Sequence, residues 1–310
     1  MNIAKALSSL CALLLAVSAA RAQQVPDLAF EPVIERPAYD NGRGPVVLVD
    51  AAHVNFHTAD GGYTAFANLL RRDGYRVGAN NDTFTAESLA RADVLVIANA
   101  MHADSKDAFA PLPSRPAFTQ AEVAAVERWV RSGGALLLIA DHMPVAGHAE
   151  SLAAAFGVRF HNGFALDARN NGTITFRRSE GTLVPGLVAD GRGAGERVDF
   201  VTTFTGQAFR LDPGLDAEPL LLVPEGYQVL LPEVAWQFSE RTPRVSAANL
   251  LQGALVRHGD GRVAVFGEAA AFTAQLAGPQ RLPAGMNSPQ APENARYLLN
   301  VLHWLGGTLN

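Results

Sequence analysis

The chain is almost without cysteine and lysine. Its single cysteine is Cys11, and its only lysines are Lys5 and Lys106. Beyond the first residues there is no thiol, which excludes disulfides, thiolate metal sites and a cysteine nucleophile. Lys+Arg of 25 against Asp+Glu of 30 gives a formal charge of -5. With no basic block, a nucleic-acid surface lacks its electrostatic footprint. No stretch reaches the roughly 18 apolar residues of a membrane helix. Internal repeats and low-complexity tracts are missing too. So are the GxSxG elbow, the Walker loop and HExxH, which removes the usual markers of serine hydrolases, P-loop NTPases and zincins.

What remains is an ordinary globular composition, with 48% hydrophobic and 18% charged residues, 28 Gly and 18 Pro. A small-molecule or glycan partner fits it best; nothing in it speaks to oligomeric state. Lys5, the apolar run 6–17 and the A-x-A site Ala20-Arg21-Ala22 have the form of an export leader over 1–22, with cleavage after Ala22. The expected address is periplasmic or secreted, in a bacterium. A proline-punctuated arm follows over 23–44, and a single domain is expected over 45–310, with a β-rich extension at 158–251.

Within that domain the pattern alternates. Val46 to Asp50, 93–98 (DVLVIA) and 135–140 (ALLLIA) are short apolar runs of the kind found in strands buried on both faces. Helical spacing follows at 61–73, 85–90, 150–156 and 294–305. Another helix opens at Thr119, where Glu122 three residues on makes a capping-box pattern. Strand and helix in alternation predict a parallel sheet covered on both faces. A hairpin is expected across 254–257 and 262–266, around His258-Gly259-Asp260-Gly261.

In open parallel sheets ligands bind beyond the carboxyl ends of the strands. Polar residues collect there. Asp50 is followed by His53, Asn55 and His57; Asn99 by His102; Asp141-His142 by His148; and a later strand ends before Glu268. The functional reading makes Asp141, Glu268 and Asp50 acid/base groups, with Asn55, Asn99 and His102 binding ligand. His53, His57, His142 and His148 are then ligands of one divalent transition metal (zinc, iron or manganese), able to make a hydroxide nucleophile near neutral pH. The plainer reading is that strand-end Asp and Asn cap helices and the histidines are loop residues. Trp236 is either core or a sugar-stacking platform.

The segments VVLVDAAHVNFHT, DVLVIANA, FTQAEVAAVERWVRSGGALLLIADHMP, GEAAAFTAQ and GMNSPQAPENARYLLNVLHWL resemble exported proteins of the class I glutamine amidotransferase-like superfamily, of the DUF4350 type. The resemblance covers about 45–160 and 263–306. It implies an α/β fold, a flavodoxin-like three-layer sandwich with a mostly parallel central sheet. In that superfamily a cysteine sits on a tight turn after a central strand. Here Asp141-His142 stands at the comparable turn, so glutamine hydrolysis by thiolate is out of reach. Glu268 and His303 do not restore a triad. Relatives include trehalose-utilisation-like proteins and trimerisation domains of galactosidases, a carbohydrate link by analogy of fold. Two functions follow as expectations. One is a metal-assisted or acid/base hydrolase of a glycan or small polar substrate; the other is a non-catalytic module binding such a ligand.

Overall fold

The computed structural model describes residues 24–105, 109–169 and 171–310. The expected leader lies outside them. Nine strands form the main sheet: β1 (Val46–Asp50), β2 (Arg76–Asn80), β3 (Val94–Ala98), β4 (Ala135–Ile139), β5 (Val158–Phe160), β6 (Phe209–Leu211), β7 (Ala217–Leu222), β8 (Leu251–His258) and β9 (Gly261–Phe266). Their order is β2-β1-β3-β4-β9-β8-β6-β5, with β7 also paired to β8. The pairs β2/β1, β1/β3, β3/β4 and β4/β9 are parallel. From β9 onward every pairing is antiparallel. The sheet is therefore mixed rather than mostly parallel, because hairpin and meander connections after residue 158 replace helical crossovers.

Among the described residues there are six α-helices: α1 (Thr64–Arg72), α2 (Ala86–Leu89), α3 (Gln120–Arg131), α4 (Val145–Ala155), α5 (Leu187–Asp190) and α6 (Asn294–Leu305). Every residue of β3 and β4 is buried. Alternate side chains serve opposite faces, as strand geometry requires. Val94, Val96, Leu137 and Ile139 pack with Phe66 of α1 and Leu298 and Leu302 of α6. Leu95, Ile97, Leu136 and Leu138 pack with Val126 and Val130 of α3 and Leu152 of α4.

The start of α3 has the capping box its sequence predicts. Thr119 accepts from the Glu122 amide while the Glu122 side chain accepts from the Thr119 amide. Helix α4 starts five residues earlier than its apolar spacing suggests, directly after the strand-end turn. The edge strand β2, RVGAN, has no apolar run to announce it and is held by its pairing to β1. The middle segment contributes β5 to β7 to the main sheet. It also supplies two small antiparallel sheets, Ile174–Arg177 with Phe200–Thr203, and Phe164–Leu166 with Gln228–Leu230 and Arg244–Ser246. In the arm, Val25–Pro26 pairs with Ala274–Ala277.

The hairpin β8–β9 leans on the end of α3, where Asp260 N–H donates to Arg131 O at 3.0 Å. A Cβ on Gly261 would fall on the Val130 carbonyl oxygen. Gly261→Ala is expected to cost about 1–3 kcal/mol by overpacking, read as a lowered urea midpoint with an unchanged slope.

Candidate functional site

The parallel strands β1, β3, β4 and β9 end at one edge of the sheet. The chain leaves β1 for β2 on one side and reaches β3 on the other, so the switch point, where such sheets offer their ligand crevice, lies between β1 and β3. Three non-glycine residues in loops here have left-handed backbone: Val54 (φ 49), Asn99 (φ 53) and Trp236 (φ 66). For a β-branched or bulky residue that conformation is costly and is held only by its surroundings.

At the β1 end, His53 lies between two carboxylates. Its Nδ1 is 2.8 Å from Asp50 Oδ2 and its Nε2 is 2.9 Å from Glu122 Oε1. A carboxylate on each side favours a proton on each ring nitrogen, the imidazolium form. Burial alone would depress the His53 pKa; the bonds to Asp50 and then Glu122 outweigh it and leave it raised above 6.5. Phe84 and Phe118 pack on the ring at 4.5 and 4.8 Å. Asp50 is fully buried and also accepts from Ala52 N–H and Asn80 Nδ2. This triad is a clamp between strand end and helix start.

At the β4 and β9 ends, Asp141 and Glu268 form a second acidic pair. Asp141 N–H donates to Asn99 Oδ1 at 3.1 Å, and Asp141 Oδ1 accepts from His142 N–H at 2.7 Å. Glu268 accepts from the Ala270 and Ala271 amides at 2.8 and 2.7 Å. Burial first, and the neighbouring Asp141 charge second, push the Glu268 carboxyl well above the usual range despite those bonds. Tyr63 O–H donates to Ala269 O at 3.1 Å. The Tyr63 hydroxyl too is held protonated, by burial and then by the charges of Glu268 and Asp141. His57 stacks on Tyr63 at 4.7 Å, and burial lowers its pKa to about 3, so the ring is neutral. Asn55 Nδ2, His57 Nδ1 and Gln207 Oε1 are buried without a hydrogen-bond partner among the described residues.

His142 lies beside this pair, with Nε2 3.9 Å from Asp141 Oδ1. Its ring stacks on Phe164 at 4.7 Å and meets Trp236 edge-on at 4.6 Å, while Nδ1 donates to Met143 O at 2.8 Å. His148 donates to Arg115 O at 2.6 Å, and its pKa is lowered, mainly by burial. His102 accepts at Nδ1 from Asp104 N–H. The four histidines expected as metal ligands thus turn to four different sets of neighbours. Among the described residues, no group of three His, Asp or Glu side chains is placed to hold a metal ion.

Sequence reasoning placed Asp141, Glu268 and Asn99 in one neighbourhood and the structure brings them together. Asp50 and His53 join Glu122 instead. Glu122 had only its capping-box signal, and nothing marked Gln207, which enters from the irregular middle segment. Tyr63 stood only in the helical spacing of 61–73.

No protein-family model matches the chain, and no curated protein matches its sequence. Among solved structures, the mmIFT52 N-terminal domain is similar over 84% of this chain and 97% of that one, at 14% identity and a TM-score of 0.57. A thua-like protein from Bacteroides uniformis ATCC 8492 covers 89% of this chain and 94% of its own, at 14% identity and TM-score 0.47. The cytoplasmic protein STM1381 from Salmonella typhimurium LT2 covers 84% and 98%, at 13% and 0.48. The first likeness shows shared architecture alone. The DUF4350-type assignment is corrected by these findings: no family model matches the chain, and the mmIFT52 N-terminal domain that shares its architecture is of another kind. No helix among the described residues is long and apolar enough to cross a membrane.

The His53 clamp gives a signed pH dependence. Because the folded His53 pKa is raised, its contribution is complete below 6.5 and is lost as pH rises through the folded value. Glu122 works in the opposite sense. Burial would raise its pKa, but the Thr119 amide, His53 and further donors lower it, so its contribution fades as pH falls below 4.5. His53→Gln should therefore cost more stability at about pH 6 than at about pH 9 in paired urea titrations. Equal costs at both would show that the ring is not an imidazolium.

Proposed function

We propose that the protein is a hydrolase working by acid/base chemistry on a glycan or related small polar substrate in the crevice at the β1, β3, β4 and β9 ends. The single observation behind this is the Asp141–Glu268 pair, two carboxyl groups with different environments at adjacent strand ends. Environments that push two titratable groups apart are what acid/base work needs. In this reading Asp141, slightly exposed at the crevice, is the general base. Glu268 is the protonated partner whose proton keeps two negative charges from facing each other. Trp236, half-buried and packed against His142 and Phe164, is the indole of this site that a sugar ring would meet. The acid/base form is preferred to the metal-assisted one because both His53 nitrogens are already committed to carboxylates.

The parallel strand order β2-β1-β3-β4-β9, with helices on both faces, supports a flavodoxin-like three-layer core within the larger sheet. The leader-like residues 1–22 support export to the periplasm or medium. A second reading, a non-catalytic module binding the same ligand class, is favoured by one observation. Both Glu268 oxygens accept backbone N–H bonds, as a purely structural carboxyl would.

Release of reducing ends from a panel of oligosaccharides and chromogenic glycosides tests the proposal. Asp141→Asn should lower kcat by about 10²–10⁴-fold, the usual worth of a general base, with thermal stability retained. Trp236→Ala should raise KM more than it lowers kcat. Saturable heat of binding with the ligand recovered unchanged would select the binding module, and an unchanged kcat in Asp141→Asn would remove the assigned base.

A further inference from the structure

Asn99 stands directly after β3, at the switch point, and is only 4% exposed. Its backbone is tied to two neighbouring segments. The N–H donates to Ile139 O at 3.0 Å, and the carbonyl accepts from Phe56 N–H at 3.0 Å. Its left-handed conformation, φ 53, is one that asparagine adopts more readily than most residues. The side chain is tied as well. Oδ1 accepts from the Asp141 amide at 3.1 Å, and because an N–H must meet an oxygen, this bond fixes which way round the carboxamide stands. The Nδ2 amino group is therefore held beside Asp141 by a residue anchored at three points.

That amino group is the part of Asn99 that the fold leaves unused. It makes no hydrogen bond among the described residues. Three other side chains of the site also keep an unpartnered atom, but Asn55 Nδ2, His57 Nδ1 and Gln207 Oε1 are sealed from solvent. Asn99 Nδ2 is unpartnered and not sealed, so it opens outward. Next to it, the Asp141 side chain is 12% exposed. What a ligand can reach here is thus a carboxylate acceptor and an amide donor side by side, both on side chains that are otherwise buried.

The two groups have opposite demands. An ionised Asp141 only accepts, and Nδ2 only donates. A sugar with its hydroxyls supplies lone pairs for the donor, whereas an apolar ligand supplies none. A donor fixed in direction before the ligand arrives costs no reorganisation when it is used.

We infer that Asn99 Nδ2 donates to a hydroxyl oxygen of the bound sugar and holds the bond to be cleaved against Asp141. This rests on the function proposed above for the part Asp141 plays, and it makes Asn99 a further catalytic residue that touches the substrate. It also makes Asn99 a determinant of specificity. A saccharide without a hydroxyl at that place leaves the donor facing no acceptor and is disfavoured.

Two variants test this on the same saccharide panel. Asn99→Asp is close to isosteric: its Oδ1 still accepts the Asp141 amide, and only the donor is replaced, by an acceptor oxygen. Its kcat/KM should fall about 10²–10³-fold, the worth of one such donor, with thermal stability retained. Asn99→Gly suits the left-handed backbone and removes the whole side chain without adding charge. Calorimetry with monodeoxy forms of the saccharide that binds best should find one position whose deoxygenation weakens binding to the wild type about tenfold and binding to Asn99→Gly hardly at all. A purely structural side chain would leave every deoxy loss the same in wild type and variant. Binding with the coupled pattern but without turnover would remove the hydrolase reading and keep the donor. Turnover with kcat/KM unchanged in Asn99→Asp, deoxy losses that simply add, or no saccharide bound at all would each overturn the inference.

Discussion

Burial of the two central strands on both faces is the constraint from which the rest of the molecule follows. β3 and β4 carry no polar side chain within their spans, because helices cover them above and below. Polar chemistry is thereby expelled to the strand ends. There the chain must turn sharply, and backbone groups that leave the ladder need new partners. Asn99 meets both demands at once: it adopts a left-handed conformation and its side-chain oxygen takes up the Asp141 amide. Glu268 does likewise for the two amides that follow β9. The acidic groups of the crevice thus stand where they do for reasons of backbone satisfaction, and any chemistry is built on that arrangement.

Much of this was legible in the sequence where burial is two-sided and periodic. VLVIA and ALLLI read as buried strands because nothing in them suits a solvated face, and Thr119 with Glu122 read as a helix start because the capping box is local. Legibility failed where the determinant is distant. β2 is an edge strand held by one neighbour, and its residues contain no apolar run. Of the antiparallel half of the sheet, the hairpin around 258–261 and the β-rich character of 158–251 were legible, but the partners of β5, β6 and β7 were not, because pairing between segments separated by tens of residues leaves no periodic trace. The same limit applies at the site. Asp141 and Glu268 were visible as strand-end residues, but the bond between His53 and Glu122 joins groups 69 residues apart. Spacing along the chain cannot show that His53 has both nitrogens engaged.

The histidines divide by what surrounds them. The His53 pKa is raised because two neighbouring carboxylates outweigh its burial, and His57 is neutral because nothing charged offsets its own. Identical side chains four residues apart in one loop are thus driven in opposite directions. Counting imidazoles in a loop gives a metal site its raw material; the partners that each ring already has decide whether it is free to coordinate. At the other end of the strands, His303 spends one nitrogen on Asp73 and holds the other 3.9 Å from the Glu196 carboxylate.

Glu122 illustrates what such economy implies for variation. One carboxylate closes the capping box at Thr119, takes a proton-bearing nitrogen of His53 and accepts the Phe84 amide at 3.2 Å. Three separate segments are therefore thermodynamically coupled through one side chain, and the effects of changes at positions 50, 53, 119 and 122 will not add. A lineage can alter any one of these residues only along paths on which its partners alter too, so this corner of the domain evolves as a single unit.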